Sequence, residues 1–321
     1  MTNTRLVFSP RYNTNLSEFG VDKPFALDRG AMVLAELRRK FGEKAAEFVV
    51  PEPVSNEDIR LVHTDAYLQR LKQTTTWLQI FEFTDAEYSP ERATRPLPEL
   101  IEDLKLKSGG TLLAARFAVD TGLAANLGGG YHHAFPDRGH GYCVIHDIAI
   151  AVRRLQQDGR IKRAMIVDLD FHQGDGSAVI FKDDDTVFTL SMHSQDGWPE
   201  QKQESNLDVG IYCGEEHLYV EKLNDALGEA LRRFAPDMVV FIAGSDPYEK
   251  DVLPGTALLK MSLEQLKKRD ELVIDTFADR GIPLVSVFAG GYGPDVWEVH
   301  YNCTKHLLER SGILVASTQT H

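Results

Sequence analysis

Short apolar segments alternate with segments of helical periodicity along most of this chain of 321 residues. The apolar segments are partly β-branched and lack polar alternation, which is typical of strands buried on both faces of a parallel sheet. The connections between them are long enough to hold crossover helices. The alternation therefore predicts an α/β fold, a doubly wound parallel sheet with helices on both faces, in a single domain spanning residues 1–321.

The expected elements leave one long irregular segment. Strands are predicted at residues 5–8, 124–127, 164–167, 186–193 and 284–289, and in the run that begins at 238. Helices are predicted at residues 25–41, 64–71, 111–119, 147–155, 215–234 and 262–277, and in a last segment through 306. Residues 81–105 are polar and contain three prolines, so a loop or lid is expected there.

The apolar run at 164–167 ends in a polar sequence that could bind a metal ion. Asp170 and His172 are two residues apart, so their side chains leave the same face of extended backbone, which Asp168 shares. A carboxylate with an imidazole suits zinc or a similar divalent ion, whereas calcium and magnesium favour oxygen ligands. A solvated turn is the alternative, because Asp and Gly are ordinary turn residues. The segment by itself leaves both interpretations open.

Polar groups follow the other apolar runs as well. Adjacent His132 and His133 come after the run at 124–127, and Asp246 and Tyr292 follow two later runs. The glycines before the histidine pair lack the spacing of phosphate-binding loops, and two surface imidazoles are the alternative for such a pair. Because ligands bind beyond the carboxyl ends of the strands in doubly wound sheets, this placement favours one shared site.

Composition limits the partners. The formal net charge of −13 argues against binding to nucleic acid or to an anionic membrane surface and favours a cationic substrate or partner. The three cysteines are far apart, so no disulfide framework is expected. The first residues lack the apolar core of a signal peptide, and no later run approaches a membrane span. A cytoplasmic protein is expected.

Seven segments, taken together, resemble the zinc-dependent histone deacetylase family, and most of all its class IV branch and bacterial relatives. They occur in the family's order at residues 8–13, 61–64, 109–111, 126–133, 137–143, 168–176 and 290–292. The resemblance covers almost the whole chain. It implies the arginase/deacetylase fold, with a central parallel sheet of about eight strands.

The same resemblance implies the metal site. Asp170, His172 and Asp246 match the family's zinc ligands. Three protein ligands with an open position are the pattern of a catalytic zinc ion. A potassium or sodium ion beneath the zinc is also implied, bound partly by backbone carbonyls near Asp168 and by the positions of Ser191 and Met192.

Catalytic residues are implied in the same way. Asp168 is expected to accept a hydrogen bond from His132, and Asp175 from His133, which would fix the tautomer of each imidazole. Tyr292 resembles the family tyrosine that donates its hydroxyl to the developing oxyanion. The residues matching the narrow substrate channel and its rim are Gly141, Tyr142, Leu253 and Trp198.

Three positions depart from the commonest family pattern. Gln173 stands where most members have a second histidine, although glutamine is similar to the class IV pattern. Ser245 and the Pro247-Tyr248 pair, on either side of Asp246, match no family pattern. The segment 81–105 offers no counterpart for the acidic rim residue that holds the substrate backbone in several relatives.

The resemblance implies zinc-dependent hydrolysis of an N-acyl amide, with Nε-acyl-lysine in a protein or peptide as the leading substrate. Both acetyl and longer fatty acyl groups are compatible with it. An acetylpolyamine amidohydrolase is the alternative enzyme, and the negative net charge suits its cationic substrate. A catalytically inactive fold that acts as a binding protein is the alternative of another class, and the complete set of ligands, histidines and tyrosine argues against it.

Overall fold

A computed structural model of the chain describes residues 5–314 except 24, 26 and 27. Its strands are β1 (Leu6–Val7), β2 (Phe48–Val49), β3 (Leu123–Asn126), β4 (Ala164–Asp168), β5 (Val187–Ser194), β6 (Leu207–Ile211), β7 (Met238–Ile242) and β8 (Leu284–Val287). They form one sheet in the order β2-β1-β3-β8-β7-β4-β5-β6, and every pairing is parallel. The predicted fold class, an eight-stranded parallel α/β sheet, is confirmed.

The α-helices of the described residues follow in chain order. They are α1 (Arg29–Phe41), α2 (Asn56–Arg60), α3 (Asp65–Arg70), α4 (Thr74–Phe81), α5 (Ile101–Thr121), α6 (Asp147–Gln157), α7 (Asp175–Phe181), α8 (Tyr219–Arg233), α9 (Leu263–Ala278) and α10 (Trp297–Arg310). None of these helices is both long and apolar enough to cross a bilayer.

Two apolar cores lie on opposite faces of the sheet. Along β4, Met165 and Val167 belong to one core, whereas Ala164 and Ile166 belong to the other. Alternate strand residues point to opposite faces, so a strand that is apolar at every position buries both faces at once. Helices α1, α8, α9 and α10 cover the first face, and α4, α5 and α6 cover the second.

The structure differs from the predicted elements most clearly at α5. This helix begins at Ile101 and runs through Gly109 and Gly110, where the sequence had predicted a helix only from residue 111. The two glycines allow close packing inside the helix: a Cβ on Gly109 would lie 1.8 Å from the Glu52 carbonyl oxygen, and one on Gly110 would lie 1.9 Å from the Tyr12 hydroxyl. The glycine pair therefore marks a packing contact and not the start of a helix.

Smaller differences concern the ends and edges of the sheet. The helix predicted at 25–41 begins at Arg29, and residues 26 and 27 lie outside the described residues. Strands β2 and β6 are the two edges of the sheet, and the sequence analysis did not predict them. β2 has only two residues, and β6 includes Asp208 and Gly210, so neither resembles an interior strand.

Candidate active site

One cavity of about 360 Å³ opens beyond the carboxyl ends of the neighbouring strands β3, β8, β7 and β4. Each strand ends in a loop that carries polar side chains into it. Six of the predicted metal-binding and catalytic residues line this cavity: His132, His133, Asp170, His172, Asp246 and Tyr292. Residues that span about half of the chain thus meet at one edge of the sheet, as expected for a doubly wound fold.

Asp170, His172 and Asp246 form a buried triad of possible metal ligands. One ligand atom from each lies within 4.8 Å of the others. His172 Nδ1 is 3.2 Å from Asp170 Oδ1 and 3.0 Å from Asp246 Oδ2. The backbone N–H of Gly290 donates to Asp170 at 2.8 Å, and the N–H of Phe171 donates to Asp246 at 2.9 Å. These bonds fix both carboxylates before any ligand binds.

The charges of the triad fit a divalent cation. Burial and the nearby Asp170 carboxylate raise the pKa of Asp246 to about 7. Burial opposes the charged form of His172, but the two carboxylates outweigh it and raise its pKa to about 9. Two buried carboxylates and one imidazole are a ligand set that zinc accepts, and a bound cation would neutralise their mutual repulsion. A side chain at Gly290 would obstruct it, because a Cβ there would lie 2.4 Å from Asp246 Oδ2.

Each histidine of the pair after β3 contacts its own carboxylate. His132 Nδ1 lies 2.7 Å from Asp168 Oδ2, and His133 Nδ1 lies 2.6 Å from Asp175 Oδ1. The other nitrogen of His132 is 3.7 Å from Asp170 Oδ1. Within the described residues, Asp175 is the only carboxylate within 4 Å of a His133 ring nitrogen. His132 therefore lies between two carboxylates, whereas His133 contacts one carboxylate, that of Asp175.

The electrostatic surroundings separate the two imidazoles. Burial lowers the pKa of a histidine, but Asp168 and Asp170 outweigh burial at His132 and raise its pKa to about 10. At His133, burial and the positive charge of His132 act in the same direction and hold the pKa well below its ordinary value. The surroundings thus favour the cationic form of His132 and the neutral form of the adjacent His133.

The predicted channel residues lie on the wall of the same cavity: Gly141, Tyr142, Leu253 and Trp198. The indole of Trp198 lies 4.8 Å from the His133 ring, edge to face, and Tyr142 lies 6.3 Å from Tyr292. Burial raises the pKa of Tyr292 well above its ordinary value, with the triad carboxylates adding to the effect. The Tyr292 hydroxyl consequently keeps its proton and can donate a hydrogen bond.

Ser191 and Met192 lie on β5, outside the cavity wall. Ser191 pairs with Asp168 across β4 and β5, and the Ser191 hydroxyl is 2.9 Å from His193 Nδ1. The two residues therefore lie beside the segment that carries the triad. The potassium or sodium ion expected there stays a prediction.

Asp147 is a positioning residue that the sequence analysis missed. Its carboxylate accepts hydrogen bonds from the backbone N–H of Gly130 at 2.9 Å, the N–H of Tyr131 at 2.7 Å and the Thr111 hydroxyl at 2.5 Å. These bonds hold the loop that presents the histidine pair. The sequence showed Asp147 only as an acidic residue at a helix start, and its partners are too distant along the chain to be inferred from spacing.

Part of the channel wall was also missed. Phe25 and Phe81 line the cavity, and the Phe25 ring lies 5.4 Å from Tyr142, edge to face. Glu82, an exposed residue in the left-handed region at φ +50°, lies on the same wall. The sequence had shown two ordinary apolar residues and a loop acid, and only their position beside Tyr142 gives them a part in the site.

Two basic residues on the wall were likewise not predicted. Arg29 at the start of α1 and Lys107 within α5 both line the cavity. Neither belongs to a recognisable motif. Lysines normally lie at the surface, so nothing in the sequence indicates that Lys107 is buried.

Comparisons with known proteins agree with this geometry. A sequence model of the histone deacetylase domain matches residues 23–308. Histone deacetylase 2 of Arabidopsis thaliana is 32% identical over 298 residues, which cover 91% of this chain and 75% of the plant protein. An uncharacterized protein of Picosynechococcus sp. is 44% identical over 194 residues, or 60% of this chain and 64% of that protein. The acetylpolyamine aminohydrolase of Burkholderia pseudomallei is similar in fold, with a TM-score of 0.72 at 20% identity over 95% of this chain and 98% of that chain.

Proposed function

Because the chain belongs to the histone deacetylase family, we propose that it is a zinc-dependent hydrolase that removes acetyl or longer acyl groups from Nε-acyl-lysine. The observation that carries this proposal is that the buried triad, both histidines and Tyr292 line one cavity, with each histidine bonded to its own carboxylate. An inactive binding protein would have no need for all of these groups together.

Asp170, His172 and Asp246 would hold the zinc ion, because they supply two carboxylates and an imidazole within mutual reach. A zinc ion bound there supplies Lewis-acid chemistry, lowering the pKa of a water molecule and polarising an amide carbonyl. The chain supplies the remaining steps. Burial of the whole triad excludes bulk water and strengthens the electrostatic effects of the surrounding residues.

His133 is the proposed general base. Its ring is neutral and oriented by Asp175, and it has no second carboxylate within 4 Å among the described residues. It takes the proton from the attacking water as the new C–O bond forms at the acyl carbon. The same proton then goes to the departing nitrogen as the C–N bond breaks, which yields a carboxylate and a free amine.

His132 and Tyr292 are proposed to stabilise charge. Cationic His132 lies between Asp168 and Asp170, so it acts through its field and need not exchange a proton in the reaction. Tyr292 donates its hydroxyl to the oxyanion that develops on the carbonyl oxygen. The lysine stem would lie along the aromatic wall formed by Phe25, Phe81 and Tyr142.

An acetylated polyamine is the second candidate substrate. The net charge of −13 would attract a polycation, and Glu82 on the cavity wall would pair with an ammonium group. Polyamines extend beyond the acylated nitrogen as a charged chain, whereas a peptide presents a neutral backbone.

The test is a substrate panel with zinc-loaded protein: an acetyl-lysine peptide, a myristoyl-lysine peptide and an acetylated polyamine. We expect turnover of at least one lysine amide, loss of turnover when a chelator removes the metal, and recovery when zinc is restored. The His133→Ala variant controls for contaminating hydrolases. Zinc-loaded protein that hydrolyses none of these amides would contradict the proposed activity, and turnover of the polyamine alone would select the second candidate.

A further inference from the structure

One wall of the cavity carries two cationic side chains that the proposed chemistry does not use. Lys107 and Arg29 both line the cavity, and we call this pair the basic wall. Only 7% of the Lys107 surface is exposed. Buried lysines are rare and are usually paired, so an ammonium group on a cavity wall requires an explanation.

Lys107 has no anionic partner in the described part of the chain. No carboxylate oxygen lies within 4 Å of its Nζ, and no hydrogen bond is formed by that atom. Asp103, one turn earlier on α5, instead pairs with Arg11 at 3.3 Å. Burial lowers the pKa of Lys107 to about 8, although the charge of Asp103 opposes this, so the folded chain is destabilised by the lysine charge. An anion bound in the cavity would remove that cost.

Arg29 has protein partners but no counter-charge within 4 Å among the described residues. Its Nη atoms donate to the carbonyl oxygens of Ala289 and Gly290, both at 2.9 Å, and Nη1 lies 3.1 Å from His300 Nε2. These acceptors are neutral, and they hold the guanidinium beside the loop that carries the catalytic tyrosine. Two positive charges thus face one cavity. Repulsion from Arg29 adds to burial in lowering the pKa of Lys107, whereas at Arg29 the Asp246 and Asp170 carboxylates oppose the lowering of its pKa by burial.

The cavity that contains the basic wall is lined by apolar side chains as well as by the polar Tyr12 and Thr14. Leu104 and Leu127 line this cavity, and the Phe288 ring centre lies 5.8 Å from the guanidinium carbon of Arg29. Apolar walls suit methylene groups, and a cationic end suits a carboxylate. A plain fatty acyl chain reaching this region would place its methyl end against Lys107 and leave the ammonium without a partner.

We propose that the basic wall binds the distal carboxylate of a dicarboxylic acyl group, so that amides of the succinyl and glutaryl type are substrates of this site. The inference rests on the proposed function and specifies its acyl group. The reaction is the same hydrolysis: water adds to the acyl carbon, the C–N bond breaks, and the products are a dicarboxylate and the lysine amine. Lys107 and Arg29 pair with the far carboxylate and take no part in proton transfer.

The test compares a glutaryl-lysine peptide with its uncharged analogue, in which an amide replaces the distal carboxylate. In wild-type protein, kcat/KM for the glutaryl peptide should exceed that for the analogue by at least about tenfold, the range expected for a desolvated charge pair. Lys107→Met should remove most of this ratio, and Lys107→Arg should retain it. Lys105→Met is the matched control, because Lys105 lies on the same helix, pairs with Glu102 at 2.8 Å and is not on the cavity wall.

Binding to an inactive protein separates this inference from the proposed activity. With His133→Ala as background, titration calorimetry should show weaker binding of the glutaryl peptide when Lys107→Met is added, and equal binding of the uncharged analogue. Equal binding of the glutaryl peptide to both proteins would overturn the inference even if acetyl-lysine is hydrolysed. Preserved glutaryl selectivity in binding, without turnover of any amide, would overturn the proposed activity and leave the carboxylate site standing.

The basic wall could instead recognise the carboxylate product of any acyl group. Inhibition by free acetate distinguishes binding of a carboxylate on the acyl group from binding of the carboxylate product. Lys107→Met could weaken acetate inhibition and leave unchanged the ratio of kcat/KM for the glutaryl peptide to that for the uncharged analogue. That result would show that the basic wall binds the product, and it would refute the dicarboxylic substrate.

Discussion

The buried arginine of α9 provides a stability test of how the triad is supported. Arg269 is completely buried, and its Nη1 donates to the carbonyl oxygens of Leu169 at 3.0 Å and Gly244 at 2.8 Å. Its Nε donates to Asp270 at 2.8 Å. Leu169 precedes a triad ligand, and Gly244 lies two residues before Asp246. One guanidinium therefore joins the ends of β4 and β7 from below.

Arg269→Met should lower the free energy of unfolding by about 3–5 kcal/mol, the cost of removing one partner of a buried ion pair. Two carbonyl oxygens also lose their donor, and the buried methionine offsets part of that loss. Burial already raises the pKa of Asp270 to about 6 despite the arginine. Without Arg269 that pKa rises further above its unfolded value. The destabilisation should then be smaller at pH 5, where Asp270 can be protonated in the fold, and larger at pH 8.

Urea denaturation at both pH values measures the effect. Adding Asp270→Asn to Arg269→Met should recover part of the loss at pH 8, because it removes the uncompensated charge. Lys268→Met is the control, since among the described residues its exposed side chain forms an ion pair only with Glu264, at 3.7 Å, and should contribute less than about 1 kcal/mol. A loss below about 1 kcal/mol in Arg269→Met, or no dependence on pH, would refute the assigned role of the ion pair.

Three further predictions concern the site itself. Asp246→Ala should lose the bound zinc, and undiminished zinc by elemental analysis would remove Asp246 from the ligands. Tyr292→Phe should keep metal and fold but lose about 10² to 10³ in kcat, as expected for one oxyanion donor; near wild-type kcat would place that donor elsewhere. His133→Ala should lose at least about 10² in rate and more than His132→Ala, which keeps measurable turnover. If, at equal metal content, His132→Ala were the slower enzyme, the roles of base and electrostatic partner would be reversed.

The sequence was sufficient to predict strands and site residues where a local pattern also positions the functional side chains. The strand at 164–168 could be predicted because it is apolar at every position, and its end places Asp170 and His172 on one face by the period of two. Asp246 lies 74 positions after His172, so it was placed with them through the rule that ligands bind beyond strand ends and through the resemblance to the family's zinc ligands.

The parts that were not predicted depend on contacts that sequence spacing does not encode. Asp147 resembled any acidic residue at a helix start, and its function appears only with its partners at Gly130 and Tyr131. Lys107 lies in a helix with little separation between apolar and polar faces, so its burial could not be inferred from periodicity. The positions and contacts of both residues depend on packing between segments that are far apart in the sequence.

Lys107 also shows why net charge is a limited guide to the ligand. The formal net charge of −13 predicts that the chain attracts cations from solution. This attraction extends only over the short distance beyond which salt screens charges. Inside the cavity, positive and negative groups are arranged separately. The triad contains two carboxylates, whereas Arg29 and Lys107 have no carboxylate within 4 Å among the described residues. A ligand that pairs with both regions would carry a carbonyl oxygen for a metal ion held by the triad and an anionic group for Arg29 and Lys107. Surface charge thus bears on the approach of a ligand, and the proposed selectivity for the acyl group depends on the buried cations.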